Sequence, residues 1–186
     1  MSSFQWIGNH PGIDLVNTVR ASTPGQLVDL LPDWAAITRW AAAATLVEPS
    51  VGAAATPDDP RAEEAHAVVV GMRDALRAVL DGEAADEDLD AHLAGVPVRL
   101  TTATGPPWVG PQADADPVDL VTVPIALAVV DAAGLPRARV RRCANHDCVL
   151  RFHDTTRGGR RRWCDMATCG NRAKQAAHAR RQQRRS

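Results

Sequence analysis

Four cysteines carry the most specific chemistry in this chain. Cys143, Cys148, Cys164 and Cys169 follow a Cys-x4-Cys-x15-Cys-x4-Cys pattern within 27 residues. Zinc takes four tetrahedral ligands and accepts thiolates readily. Two close pairs separated by a hairpin-sized insert describe a closed structural site. One structural Zn2+ held by all four cysteines is the expectation. Buried free cysteines or a redox pair are the competing readings, and the clustering weighs against both. His146 and His153 lie among the ligands, and imidazole also binds zinc. The four-cysteine set is complete without them, and His153 is expected on a hairpin surface.

The elements that must position these ligands can be read around them. The insert "VLRFHDTTRGGRRRWC" reads as a hairpin, with Leu150 and Phe152 on one face and a turn at residues 155–159. The chain returns through Arg160 to Cys164. Strand alternation puts Arg160 and Arg162 on one face and Arg161 and Trp163 on the other. Trp163 and Phe152 are expected to cover the metal. Asp165 is a good N-cap for a final helix, along which Ala173, Ala176 and Ala177 form a narrow packing stripe. Knuckle, hairpin and helix together predict a small treble-clef-like fold.

Charge divides the chain in the same place. Up to Pro136 there are 6 arginines against 19 acids (-13), and from Arg137 onward 15 Arg and Lys against 3 Asp (+12). The net charge of -1 therefore hides two opposite fields, and a basic segment of this kind points to an acidic partner, nucleic acid above all. The side chains placed to meet it are Arg157, Arg160, Arg161 and Arg162 around the hairpin, and Asn171, Arg172, Lys174, Arg180 and Arg181 on the last helix, with Arg184 and Arg185 in the tail. Asn suits adenine and Arg suits guanine at base edges, although Asn171 and Gly170 have equally good structural uses beside a metal shell. Outer arginines contact phosphate, which positions without specifying.

The first 136 residues read as mainly helical. "GIDLVNTVRA" fits a short amphipathic helix, with a strand reading close behind. A helix is expected from Asp33 to Leu46, with Trp34 and Trp40 as core, and a long one after Asp59 and Pro60, ending at Gly82. "VPVRLTTATGPPWVG" predicts a hairpin. "ADPVDLVTVPIALAVVDAAG" predicts a buried helix capped by Asp116, which Pro124 should kink or split. "EPSVGAAATPDDP" reads as a flexible surface loop. The domain division expected is 1–136, helical with one small β-hairpin, and 137–186, the metal module. Asp14, Asn17 and Thr18 are polar residues on an otherwise apolar segment. They suit either backbone satisfaction, with an arginine such as Arg73 or Arg77 as another partner, or contact with a regulatory ligand.

"RRWCDMATCGNRAK" closely resembles the CGNR zinc finger, named for the run at Cys169, Gly170, Asn171 and Arg172. Phe152, Asp154 and Arg157 match the hydrophobic-Phe-x-Asp-x-x-Arg run of the same family. "GIDLVNTVRA" resembles the opening of the ABATE domain that usually precedes this finger. The resemblance implies a stress-induced transcriptional regulator, with an N-terminal regulatory domain and a zinc finger that binds DNA.

The function expected is thus a bacterial, cytoplasmic DNA-binding regulator. A protein-interaction module, with the finger docked on acidic surface of its own or another chain, is one alternative; a thiol-based redox sensor that ejects zinc is another. No nucleophile–base pair, phosphate-cradling loop or catalytic metal set is evident, so an enzyme is not expected. No apolar run approaches the roughly 18 residues of a membrane span, and the N-terminus lacks the pattern of a signal peptide. A homodimer is compatible with regulators that bind paired half-sites, though no coiled-coil seam is visible.

Overall fold

In the computed structural model, which describes residues 4–23, 25–101, 108–111 and 114–183, the chain forms two compact units. One is a continuous stretch, Leu30–Gly134. The other joins the N-terminal segment, up to Asp29, to the chain from Leu135 onward. Where the expected division was 1–136 and 137–186, the described N-terminal residues up to Asp29 group with the cysteine-bearing end, not with the helices that follow them. The physical reason lies in the hydrogen bonds of residues 7–17, set out below.

The intervening unit is built on helices α2 (Trp34–Ala43), α3 (Pro49–Ala54), α4 (Ala62–Asp81), α5 (Asp86–Leu93) and α6 (Pro117–Ala133). Asp33 caps α2 by accepting from Ala36 N–H at 2.7 Å, and Gly82 ends α4 in the left-handed conformation with φ 73°. Trp34, Ile37 and Trp40 of α2, Val69, Met72 and Leu76 of α4, and Val121, Ile125 and Val129 of α6 are all buried. That is the expected apolar stripe, with both tryptophans in the core; the Trp34 indole donates to Ala55 O at 3.0 Å. Pro124 lies inside α6 without dividing it. The helix is buried along much of its length, and packing outweighs the one hydrogen bond a proline removes. The stretch read as a flexible loop contains α3, which begins on Pro49, a residue pre-set for a first helical turn.

The expected hairpin of this unit forms from strands β3 (Val98–Thr101) and β4 (Trp108–Pro111), antiparallel, with Val98 opposite Pro111. Its Gly-Pro-Pro turn lies outside the described residues. Among the described residues, no helix is long and apolar enough to cross a membrane.

The other unit opens with α1 (Pro11–Val16), followed by an antiparallel pair, β1 (Val19–Thr23) and β2 (Gln26–Asp29). Gly25 takes φ 80° in their turn. The chain re-enters through a 3-10 turn (Arg137–Arg139) into β5 (Val140–Arg142), then β6 (Arg151–His153), and ends in α7 (Asn171–Gln183).

Candidate metal centre

The first cysteine pair sits in the connection of the β5–β6 hairpin. The strands pair Val140 with His153, Arg141 with Phe152 and Arg142 with Arg151. Cys143 N–H then closes onto Leu150 O at 2.9 Å. This differs from the expected hairpin, in which residues 150–153 would pair with residues 160–164. Strand β6 has its partner on the upstream side, and residues 154–163 are a loop. Asp154 shapes that loop. Its carboxylate accepts from Thr156 Oγ1 at 2.6 Å, Thr156 N–H at 3.0 Å and Arg161 N–H at 2.9 Å. The Thr156 hydroxyl is the main cause holding Asp154 below the usual carboxylate range. Gly159 takes φ 57° here, a conformation that favours glycine.

Of the second pair, Cys164 precedes a tight π-type turn (Met166–Gly170) and Cys169 lies within it. Asp165 caps it as expected, accepting from Ala167 N–H at 3.1 Å and Thr168 N–H at 3.2 Å. The turn delivers Cys169 inward and leads directly into α7. Gly170 is required by closeness: a Cβ there would lie 2.4 Å from Met166 Sδ and 3.2 Å from Trp163 Cδ1.

All four Sγ atoms lie within 4.8 Å of one another. Cys148 and Cys164 are 3.7 Å apart, and Cys164 and Cys169 are 3.6 Å apart. A zinc ion with Zn–S bonds of about 2.3 Å sets its sulfurs about 3.8 Å from each other at tetrahedral angles, so these spacings fit the ion. The electrostatics agree. Hydrogen bonds from the Cys148 and Cys164 thiols hold Cys143 down to about 2. The same bond to Cys143 pushes Cys148 up to about 12, and Cys164 is pushed upward by its bonds to both. Thiolates this close repel one another, and a divalent cation is what allows all four to ionise together. Two further donors address the sulfurs: Cys164 N–H points at Cys143 Sγ and Asn145 Nδ2 at Cys169 Sγ, each at 3.4 Å. Neither histidine joins the cluster. The His146 side chain is 98% exposed and pairs with Asp147, while His153 lies on β6.

Cys143, Cys164 and Cys169 form one buried cluster with Leu150 and Phe152, against which Trp163, Ile7 and Cys148 pack. Phe152 and Trp163 thus take the covering role expected of them.

The basic side chains separate into two groups. Arg157, Arg160 and Arg162 are exposed on the 154–163 loop, and Arg172, Lys174, Arg180 and Arg181 are exposed on α7. Arg161 is different. Its guanidinium lies 4.2 Å over the Phe152 ring and donates to Trp163 O at 3.0 Å, to Ile7 O at 2.9 Å and to Cys164 O. It braces the metal site and is withdrawn from the set expected to meet a partner. Asn171 is exposed but donates to Ala167 O at 3.0 Å, the bracing use considered for it. Arg184 and Arg185 lie outside the described residues.

Asp14, Asn17 and Thr18 also belong to this unit, and all three are buried. Asp14 Oδ1 accepts from Ile7 N–H at 3.1 Å and Gly8 N–H at 2.7 Å, fixing the segment before α1. Burial is the main influence on its carboxyl and raises it to about 6. Asn17 spans to β6 with both ends of its amide: Oδ1 accepts from Arg151 N–H and Nδ2 donates to Arg151 O, each at 2.8 Å. Thr18 Oγ1 donates to Leu15 O at 2.7 Å. Gly8 O accepts from His153 N–H at 2.7 Å, and Asn9 Nδ2 donates to His153 O at 3.1 Å. Asp14, Asn17 and Thr18 thus satisfy the unit's own backbone, one of the uses considered for them. The N-terminal segment covers the second edge of β6 at Arg151 and His153.

Residues 139–182 match the family model of the CGNR zinc finger. No curated protein matches the chain. The matched segment contains all four clustered cysteines, and it is a zinc finger whose cofactor is one structural Zn2+.

Proposed function

We propose that the zinc-bearing unit binds double-stranded DNA and that the protein is a bacterial, cytoplasmic transcriptional regulator with a treble-clef-like finger. The observation that carries this reading is the separation of the basic groups. With Arg161 turned inward, Arg157, Arg160, Arg162, Arg172, Lys174, Arg180 and Arg181 remain exposed on a single unit. Over residues 1–29 and 135–186 there are 16 Arg and Lys against 5 acids, a formal +11. A zinc ion with four thiolates adds -2, leaving +9. A field of that size attracts phosphate backbones and makes affinity fall steeply with salt. Residues 30–134 carry 5 basic groups against 17 acids, a formal -12, which keeps nucleic acid away from that unit. We assign it the regulatory part.

The test is binding of the full-length zinc-loaded protein to labelled duplex DNA across a salt series. Contact with about six phosphates gives a log–log slope near -5. Arg160→Ala with Arg162→Ala should make the slope shallower by about 2, each arginine contributing about 0.9. Absence of duplex binding at low salt sinks the reading.

One observation favours a second reading, an interaction surface for protein. A groove of about 570 Å³ is lined by Trp6, Ile7, Arg160, Arg162, Trp163 and Met166, with Trp6 and Met166 about half exposed. Apolar anchors flanked by arginines suit an acidic peptide as well as a phosphate backbone.

A further inference from the structure

Helix α7 buries no residue. Its chief packing partner is the turn just before it, and of its side chains only Ala173 is even half-buried. A lone helix of 13 residues is marginal in water. The sequence on it is nevertheless ordered by face. At about 100° per residue, Asn171, Gln175, His178 and Gln182 fall on one stripe at i, i+4, i+7 and i+11. Lys174 and Arg181 border the stripe on one side and Arg172 on the other. Ala173, Ala176 and Ala177 fall on the opposite face, the side of the half-buried contact, with Arg180 one turn further along it.

We infer that α7 is a reading helix that enters the major groove of duplex DNA, with Gln175 at a base edge and Lys174, Arg181 and Arg172 on the flanking phosphates. The inference rests on the DNA-binding reading above and goes beyond it by assigning the element and the side chains that discriminate sequence. The chemistry favours this occupant. A major groove admits an α-helix, and a Gln amide pairs in two-point fashion with adenine N6 and N7. An acidic protein surface would be met by the cations alone and gives no reason for an amide stripe between them. Asn171 has its amide tied back to Ala167 O, so reading starts at Gln175. The site expected is short and contains adenines. The alanine face leaves the zinc-anchored first turn to set the helix's angle of entry.

The experiment is selection from a random duplex pool with full-length, zinc-loaded protein, repeated with Gln175→Ala and with Lys174→Ala. Each variant is first checked for an intact metal site by the thiolate-to-metal absorption of its Co2+ form. Wild type should enrich an adenine-containing site. Gln175→Ala should lose preference at one position by about 5- to 150-fold while keeping its affinity for random duplex. Lys174→Ala should weaken all sequences alike and make the salt slope shallower by about 0.9. Wild type that binds duplex without preference, or a Gln175→Ala protein that selects the same site with the same preference, overturns this inference and leaves the electrostatic reading standing. Wild type that binds no duplex at low salt overturns both.

Discussion

Asn17, although outside the matched segment, should contribute strongly to the stability of the zinc-bearing unit. Its amide makes two 2.8 Å hydrogen bonds to the backbone of Arg151, the first residue of β6, and is itself 3% exposed. Asn17→Leu keeps a similar volume and removes both bonds. It leaves an N–H and a C=O of β6 buried without partners. Each such group costs about 1–3 kcal/mol, so the pair should cost about 2–6 kcal/mol. The affected unit has roughly 80 residues, a size at which 1 kcal/mol moves Tm by about 4–8 °C. A drop of at least about 10 °C is expected. Because the chain has two units, one global melting curve would mix them. The Co2+-substituted protein avoids this, since its thiolate-to-metal absorption reports the cysteine site alone. Asn17→Asp should be no gentler: one oxygen still accepts from Arg151 N–H, but the other faces the Arg151 carbonyl. A shift under about 2 °C for Asn17→Leu would refute the claim that the N-terminal segment holds β6 in place.

Three further outcomes follow from the same contacts. Asp14 is raised by burial to about 6 in the folded protein, so its stability contribution is full below the unfolded carboxylate value near 4 and is lost as pH rises to about 6. Asp14→Asn keeps an acceptor for Gly8 N–H, and should remove that pH dependence and stabilise the protein at pH 7 by about 2 kcal/mol, read from urea unfolding at pH 5 and pH 7. Gly170→Ala pushes into Met166, which is half exposed and can swing away, and into Trp163, which must yield a few tenths of an ångström. A cost of about 1–2 kcal/mol is expected, with faster zinc loss to a chelator, and Gly170→Val should be worse. Arg161→Ala should accelerate zinc loss and lower the stability of the Co2+ form by about 2–4 kcal/mol, because three backbone carbonyls lose a charged donor, whereas Arg160→Ala should leave both unchanged and weaken only DNA binding.

Residue type and spacing made the metal site legible. Zinc geometry constrains ligands so strongly that four cysteines at two short spacings admit few arrangements, and the Asp165 cap and the Phe152–Trp163 cover were readable from local pattern. The long helices were readable too, because a 3.6-residue stripe and a capping residue act within one segment. What stayed hidden was pairing at a distance. Residues 150–153 alternate well enough to pair with either side, and nothing local says that Val140–Arg142 is the partner while Asp154 commits residues 154–163 to a loop. Arg161 looked like its neighbours because the sequence cannot show which of three successive arginines has a carbonyl cluster and an aromatic face within reach. A signal for the N-terminal segment was present: Asp14, Asn17 and Thr18 interrupt an apolar run, and buried polar groups must find partners. The partners lay some 134 residues away for Asn17, beyond any local rule.

That separation has a consequence for how the zinc finger should be handled. The matched family segment begins at residue 139, and cutting there yields a module with all four ligands and nearly every exposed arginine of its unit. It also strips β6 of the cover on its second edge, removing the partners of Arg151 N–H, Arg151 O, His153 N–H and His153 O together with the Ile7 carbonyl that Arg161 holds. An uncovered strand edge is a template for pairing with another chain. The segment from Arg137 onward should therefore bind one zinc and still self-associate, whereas adding the N-terminal residues 1–29 in trans as a peptide should dissolve the association and slow zinc loss. Sedimentation of the fragment with and without that peptide decides the matter. A monomeric fragment that holds zinc as tightly as the full chain would show that the finger is complete without its N-terminal cover.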